Sequence, residues 1–495
     1  DKGFYNFDQR INEDSKFIKP EDFELPNDNS KYTMFVKAHC GSGKSDQTLA
    51  LCANLVEKGY VSNGIICLAP NKTLVDSLHQ RFSGQRLVKS TDDVFIPTDD
   101  PSWKMPHGHE GMSPKEIGMI HYQDPEYEKC LAPKDGSPIN VAICINSIRR
   151  LFRSYIDRKL ELRRELLERM GAFGIDEKVN EYHLEIKDDY SAIAPSILIL
   201  DETFSFLLNM NSETMNKTRR EIMSILKFMI QHCTYLICMD ASMNDEVIDI
   251  IKSLRPDDGY TRFVWYKKKS NDHLKCYEVP KSRFIDIMDQ KLTEGKKIFI
   301  CNNLKKHGAD FFESYIKNEH PHLKILSITS DTSLEQKRLA SNADNEFKKY
   351  DVVIVSPSVI YGLDFSGDHF DSVFGYYKNH TIGANMCYQQ LRRIRNPSSN
   401  EIFVCYDNLA YDTLTARITD KDIDEIILKR VQSMKVSDEE LYEGYDDTSG
   451  QRKLSLFGKI YRQIVKFELE SSSNFSSWVR SYLCGEGIRY FSEAY

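Results

Sequence analysis

The sequence predicts an α/β protein with two tandem parallel-sheet domains and a helical C-terminal region, and three observations carry that expectation. Short apolar runs of strand length, such as Tyr32 to Val36, Gly64 to Leu68, Ile197 to Leu200 and Tyr235 to Met239, recur between helical or loop-like stretches. Several run directly into polar residues, as Ile197-Leu198-Ile199-Leu200 runs into Asp201-Glu202, and such residues gather at the carboxyl edge of a parallel sheet. A chain of 495 residues is too long for one core, and a second series of strand-like runs begins near Lys275.

Taken in order, residues 1–31 are polar and acidic, contain Pro20 and Pro26, and read as an N-terminal arm. Residues 32–260 are expected to form the first domain. Its opening strand, Tyr32 to Lys37, leads into Ala38-His39-Cys40-Gly41-Ser42-Gly43-Lys44-Ser45. A helix over Ser45 to Lys58 follows, with Leu49, Leu51, Leu55 and Val56 at helical spacing and Gly59 ending it. The next run ends in Ala69-Pro70-Asn71-Lys72, completing a strand, helix, strand unit. Residues 91–138 are rich in Pro, Gly, Asp and His and read as an irregular insertion. Its His107, His109, His121 and Cys130 fit no zinc spacing, so surface histidines are the simpler reading.

A strand over Val141 to Ile145 precedes Asn146 and Ser147, and Arg149 to Met170 reads as a charged, solvated helix laced with ion pairs. Tyr235 to Met239 stops at Asp240-Ala241-Ser242. The boundary lies around Pro256 to Asn271. Residues 271–406 form the second domain, with strands expected at Lys297 to Cys301, Lys324 to Ile328, Asp351 to Val355, Ser372 to Tyr376 and Glu401 to Tyr406. Residues 407–495 turn to amphipathic helices, for example Asp420 to Met434 and Leu454 to Glu470.

Composition excludes little. The 66 basic and 74 acidic side chains leave a net charge of -8, so any nucleic-acid contact needs a local basic groove. The 12 cysteines lie mostly in apolar runs and form no Cys-x-x-Cys pair, which points to buried reduced thiols in a soluble intracellular protein. No apolar run reaches 18 residues, so no membrane span is expected.

The glycine-rich turn between strand and helix is a phosphate cradle. Glycines let backbone N–H groups converge, the helix adds its positive end, and Lys44 reaches outer phosphates of ATP or GTP. Ala38, Gly41, Ser42, Gly43, Lys44 and Ser45 are therefore expected to bind the nucleotide, with Ser45 and Asp201 holding Mg²⁺ and Glu202 polarising the attacking water. In the second half, Ser356-Pro357-Ser358-Val359-Ile360-Tyr361-Gly362-Leu363-Asp364-Phe365 follows a strand, and Gln389-Gln390-Leu391-Arg392-Arg393-Ile394-Arg395 lies on a helix. Three arginines in four positions fit a basic surface, and they fit equally an arginine reaching a γ-phosphate across a cleft, the role favoured here.

These motifs, in this order, resemble those of superfamily 2 helicases, in which alanine often stands where Ala38 does. Within that superfamily, Asp201-Glu202-Thr203-Phe204-Ser205, Met239-Asp240-Ala241-Ser242-Met243-Asn244-Asp245 and Tyr361-Gly362-Leu363-Asp364-Phe365 are most similar to the herpesvirus-type origin-binding proteins and to primase-helicases of large DNA viruses. The similarity covers about residues 32–406 and implies two RecA-like domains. It departs at the last motif: the place of the family's glycine is Arg392 and that of its second arginine is Asn396, leaving Arg393 and Arg395 as finger candidates beside Gln389.

By position, the resemblance implies nucleic-acid contacts from Pro70, Asn71, Lys72, Asn146, Ser147, Asn302, Asn303 and Ser356, coupling of ATP state to strand grip by Asp240 and Ser242, and nucleotide contacts from Gly362 and Asp364. The implied function is an ATP-dependent viral DNA helicase or translocase in genome replication, moving 3′ to 5′ on single-stranded or tailed duplex DNA, with primase or other replication proteins as partners. An ATP-gated origin-binding or primase-anchoring module and an RNA helicase remain alternatives. A small-molecule kinase would leave the second-domain motifs without a role.

Overall fold

The structure is a computed structural model and describes residues 8–10, 30–38, 44–70, 72, 74–75, 78–79, 86–89, 95–98, 120–122, 140–187, 189–190, 193–212, 215, 218–255, 259–266, 271–333, 336, 339–357, 363, 365–378, 382–407, 418–433, 435–446 and 450–492. The first sheet is parallel throughout. Its strands are β1 (Asp8–Arg10), β2 (Tyr32–Ala38), β3 (Ile65–Ala69), β4 (Ile120–His121), β5 (Asn140–Cys144), β6 (Ile197–Asp201), β7 (Tyr235–Asp240) and β8 (Tyr260–Tyr266), in the spatial order β1-β8-β2-β7-β6-β3-β5-β4. The helices α1 (Lys44–Glu57), α2 (Ile148–Arg169), α3 (Ile175–Ile186), α4 (Thr203–Asn209), α5 (Arg219–His232) and α6 (Asp245–Leu254) lie between these strands in the chain. All residues of β3, β6 and β7 are buried, as required of strands covered on both faces, which is why they read as unbroken apolar runs.

The buried guanidinium of Arg255 ties the entrance of this sheet together. It donates to the carbonyls of Ile230, Cys233, Thr234 and Tyr32, and so stitches the end of α5 to the starts of β2 and β7. The expected charged helix is α2, packed against α3, with ion pairs Arg164–Asp176 at 2.7 Å and Arg169–Glu165 at 3.9 Å.

The second sheet is also parallel: β9 (Lys275–Glu278), β10 (Ile298–Asn302), β11 (Ile325–Ile328), β12 (Val352–Val355), β13 (Ser372–Lys378), β14 (Glu401–Asp407) and β15 (Arg489–Ser492), ordered β11-β12-β10-β13-β14-β9-β15. Its two faces bury separate cores. Along β10, Phe299 and Cys301 enter one and Ile298 and Ile300 the other, the alternation a strand imposes. Helices α7 (Lys281–Thr293), α8 (Asp310–Glu319) and α9 (Ala384–Leu391) belong to this half. Gly375 in β13 lets α9 come close, because a Cβ there would meet the Leu391 side chain at 2.6 Å and the Tyr377 ring at 2.7 Å.

The C-terminal region contains helices α10 (Asp420–Gln432), α11 (Leu456–Ser473) and α12 (Phe475–Gly485), and it divides between the two halves. Ile423 and Ile427 of α10 and Phe457, Ile460, Tyr461, Ile464 and Val465 of α11 enter the core of the first sheet. Phe475, Val479 and Leu483 of α12, with Ile488, enter a core of the second. The last strand, β15, was not expected from sequence; it is short, exposed except for the half-buried Tyr490, and extends the sheet edge by pairing with β9. No helix among the described residues is long and apolar enough to cross a membrane.

Candidate nucleotide-hydrolysis cleft and nucleic-acid interface

The carboxyl edges of β2, β6 and β7 carry the first half of the site. Lys44 opens α1, is buried, and donates from Nζ to the carbonyl of Ala38 at 2.6 Å, spanning the mouth of the turn. Ser45, one residue on, is half-buried. Gly41, Ser42 and Gly43 lie outside the described residues. Thr48 of α1 donates to Sδ of Met239 at 2.9 Å, packing the helix on β7.

Asp201 ends β6 and Glu202 follows it at the N-cap of α4, both buried. Glu202 has φ 52° and ψ 55°, a left-handed conformation uncommon for a non-glycine residue and one that concentrates at functional sites. Its N–H donates to Oδ1 of Asp201 at 3.1 Å. Asp240 at the end of β7 accepts the N–H of Phe204 at 2.7 Å and that of Ser242 at 2.5 Å, tying the residues after the Asp-Glu pair to the β7 turn.

Burial, and then the carboxylate of Glu202, push the Asp240 carboxyl up from 3.8 to about 7, against the two N–H donors and Lys44. An acid raised on folding binds more protons folded than unfolded between those values. Its contribution to stability is therefore largest below the lower value and declines as pH rises through the window. The melting temperature of wild type relative to Asp240→Asn is thus expected to fall between pH 4 and pH 7, as thermal unfolding over that range will check; a constant difference contradicts it.

The second half comes from α9 and the turn after it. Gln389, fully buried, donates from Nε2 to Oε2 of Glu202 at 3.4 Å, joining the two domains. Arg393 donates to Oε1 of Gln389 and to the carbonyl of Leu363, each at 3.3 Å, and its buried Nε has no partner. Arg395 donates to the carbonyl of Arg392 at 2.9 Å. Gly362 and Asp364 lie outside the described residues. Asn396, in the place of the family's second arginine, is half-buried and donates to the carbonyl of Ser366 at 3.1 Å.

Arg392 was not expected to matter, and its environment is the most built of the three arginines. It is buried, and its Nε donates to Oε2 of Glu486 at 2.7 Å while Nη2 reaches Oδ1 of Asn271 at 3.3 Å. Tyr388 also donates to Glu486. The signal available in the sequence was the arginine at the glycine place; its partner, 94 residues on, gave none.

The residues present fit a nucleoside triphosphate with a divalent cation. Lys44 and the unpartnered Nε of Arg393 are cationic donors for phosphate, and Asp201, Glu202 and Ser45 are the hard oxygen donors that Mg²⁺ takes.

The nucleic-acid candidates fall into groups. Pro70 is buried at the end of β3, its carbonyl accepting from Asn209 Nδ2 at 2.5 Å, and Lys72 is half-buried; Asn71 lies outside the described residues. Exposed Asn146 and half-buried Ser147 line a cleft of about 370 Å³ with Tyr122, Arg149, Arg150 and Arg153, a local basic groove on an acidic chain. Asn302 and Asn303 are buried at the end of β10, where they brace neighbouring chain: Asn302 donates to Val355 O at 3.2 Å and Asn303 to Lys378 O at 2.6 Å. Ser356 is buried. Of the insertion histidines, His121 packs edge-on to His79, ring centroids 5.3 Å apart, and His107, His109 and Cys130 lie outside the described residues. No group of three or more metal-ligating side chains occurs among the described residues, where the cysteines are free thiols, all buried except Cys484.

Two tandem parallel sheets, one with a lysine-headed helix and an Asp-Glu pair at its edge and the other with a helix whose Gln389 meets Glu202, form a tandem RecA-like fold. The DEAD-box helicase Mss116, solved with single-stranded RNA and UDP-BeF, has this fold: TM-score 0.50, 13% identity, covering 96% of this chain and 82% of that one. Residues 192–264 and 262–419 match the family described as origin of replication binding protein. The chain is similar to proteins of two viral groups. It is 30% identical over 219 residues to the replication origin-binding protein of human herpesvirus 7 (strain JI), a match covering 42% of this chain and 26% of that protein. It is 26% identical over 212 residues to the putative helicase/primase complex protein of African swine fever virus (isolate Warthog/Namibia/Wart80/1980), covering 42% of this chain and 20% of that one. The matched stretch thus spans a fifth to about a quarter of these relatives.

Proposed function

We propose that this chain is the motor of a viral replication protein: an ATP-hydrolysing translocase that moves 3′ to 5′ along single-stranded DNA and separates a tailed duplex. The observation that carries the reading is the bond from Gln389 to Glu202, with Arg393 behind it, because it joins the two domains at the residue that would activate water. Bound ATP and Mg²⁺ would supply the phosphoanhydride and the charge neutralisation. Lys44 would hold the outer phosphates, and Ser45 and Asp201 would hold the cation. Glu202 accepts the proton of the attacking water, and Arg393 stabilises charge that develops on the transferred group.

Asp240 accepts from both the Phe204 and the Ser242 N–H, so a shift of Glu202 is passed to the β7 turn. The groove at Asn146, Ser147, Arg149, Arg150 and Arg153 suits phosphate-backbone contacts, which give grip without sequence reading. Pro70, Asn71 and Lys72 would hold strand on the same side, and Asn302, Asn303 and Ser356 on the other. Alternate closing and opening of the cleft would then step the two holding surfaces along the strand.

Unwinding of a tailed duplex is expected for wild type and lost in Lys44→Ala; equal activity in both overturns the mechanism. A second reading, an ATP-gated origin-binding module that does not unwind, is favoured by the family description. ATP-stimulated duplex binding without strand separation would select it. Stimulation of ATP hydrolysis by single-stranded RNA in preference to DNA would select an RNA-directed enzyme.

A further inference from the structure

The C-terminal region bridges the proposed hydrolysis site. Helix α11 touches both domains next to it: the Phe467 ring packs edge-on to Phe204, two residues after Glu202, with centroids 4.9 Å apart. The same ring lies against Gly383, where a Cβ would meet it at 2.6 Å, and Ser471 Oγ accepts the N–H of Ala384 at 2.9 Å, at the start of α9. Lys466 pairs with Glu246 of α6 in the first domain. The chain then turns at Asn474, and α12 packs along the second domain, against α9, where Tyr482 stacks on Tyr388 at 5.3 Å.

Just past α12, Glu486 is fully buried, and its carboxylate accepts from Arg392, Tyr388 and Asn271. Arg392 and Arg393 are adjacent at the end of α9, so whatever holds the first fixes the direction of the second. A buried guanidinium with its carboxylate removed is an uncompensated charge, which the site relieves by shifting the turn that carries it. The Glu486 carboxylate also explains why arginine is accommodated at the place of the family's glycine.

We infer that Glu486 is a positioning residue for the hydrolysis site: by holding Arg392 and Tyr388 it fixes the end of α9, which presents Gln389 to Glu202, and the turn that sets Arg393 against Gln389. The inference rests on the functional reading above. Through it the C-terminal strap, whose other helices sit on the first domain, sets the geometry of the arginine turn.

The test uses the full chain with Glu486→Gln, which keeps the shape and removes the charge, and Glu486→Ala as a second variant. Two readouts are made: steady-state ATP hydrolysis with single-stranded DNA, and amide hydrogen exchange without nucleotide. Expected in Glu486→Gln is a kcat reduced about tenfold or more with KM for ATP little changed, and faster exchange confined to residues 384–395. Glu486→Ala is expected to show the same pattern more strongly. An unchanged kcat, a change in KM alone, or exchange that rises evenly over the second domain overturns the inference, because each would mark a merely structural role. A wild-type chain without any ATP hydrolysis overturns the functional reading instead, and the exchange pattern then still decides whether Glu486 holds the arginine turn.

Discussion

Replacing Glu202 by glutamine is expected to reduce ATP turnover by about 10²- to 10³-fold while leaving nucleotide binding within a few-fold of wild type. The amide keeps the side-chain volume and still accepts from Gln389, so the bond between the domains survives, but it takes no proton from water. The result should be a chain trapped with its cleft closed, binding single-stranded DNA in the presence of ATP and failing to release it. Single-turnover hydrolysis with fluorescent-nucleotide binding checks both halves of the expectation. Full turnover in Glu202→Gln would remove Glu202 from the reaction.

Arg393→Ala is expected to lower turnover by about 10³-fold, the scale on which arginine fingers act. Its buried Nε is unpartnered, its Nη atoms are fixed by Leu363 and Gln389, and it stands behind the residue that touches Glu202. Arg393→Lys should recover little, because an ammonium lacks the planar fork that holds Gln389 and a phosphate oxygen at once. Arg395→Ala is the internal comparison: a loss as large as that of Arg393→Ala would mean that Arg395 swings from the Arg392 carbonyl to take the finger role. Stimulated ATPase rates of the three variants decide between the two arginines. Because Arg393 also braces Gln389, its removal should weaken interdomain closure as well as chemistry, and the two effects separate in nucleotide affinity.

Much of the fold was legible because a parallel sheet covered on both faces writes each strand as a continuous apolar run. The runs at Tyr32, Gly64, Ile197 and Tyr235 appear as β2, β3, β6 and β7, and those expected in the second half appear as β10 to β14. The edge strand β15 carries no such run and went unseen, since an exposed edge has no reason to be apolar. The positions of Lys44 at a helix start and of Asp201 and Glu202 at a strand end were legible for a related reason: the residues that begin a helix or end a buried strand are set by local sequence. Among the nucleic-acid candidates, Asn302 and Asn303 illustrate what a motif leaves open, because both are buried and brace backbone in this conformation.

By itself, then, the amino-acid sequence determined the two α/β halves, the helix that Lys44 opens, the Asp-Glu strand end and the helix that bears Gln389, whereas the arginines expected on that last helix lie in the turn after it. Each is encoded in contiguous residues by strand periodicity or by the chemistry of a short turn. Only the tertiary structure decided how they meet: Gln389 on Glu202, Asp240 between Phe204 and Ser242, and Arg392 turned to Glu486. It also decided that the C-terminal helices divide between the domains, α10 and α11 on one and α12 on the other. The reason is range. A buried ion pair across 94 residues and two consecutive helices docked on different cores leave no periodic or local trace, since either partner alone looks like an ordinary charged or apolar residue until the fold removes water from around both.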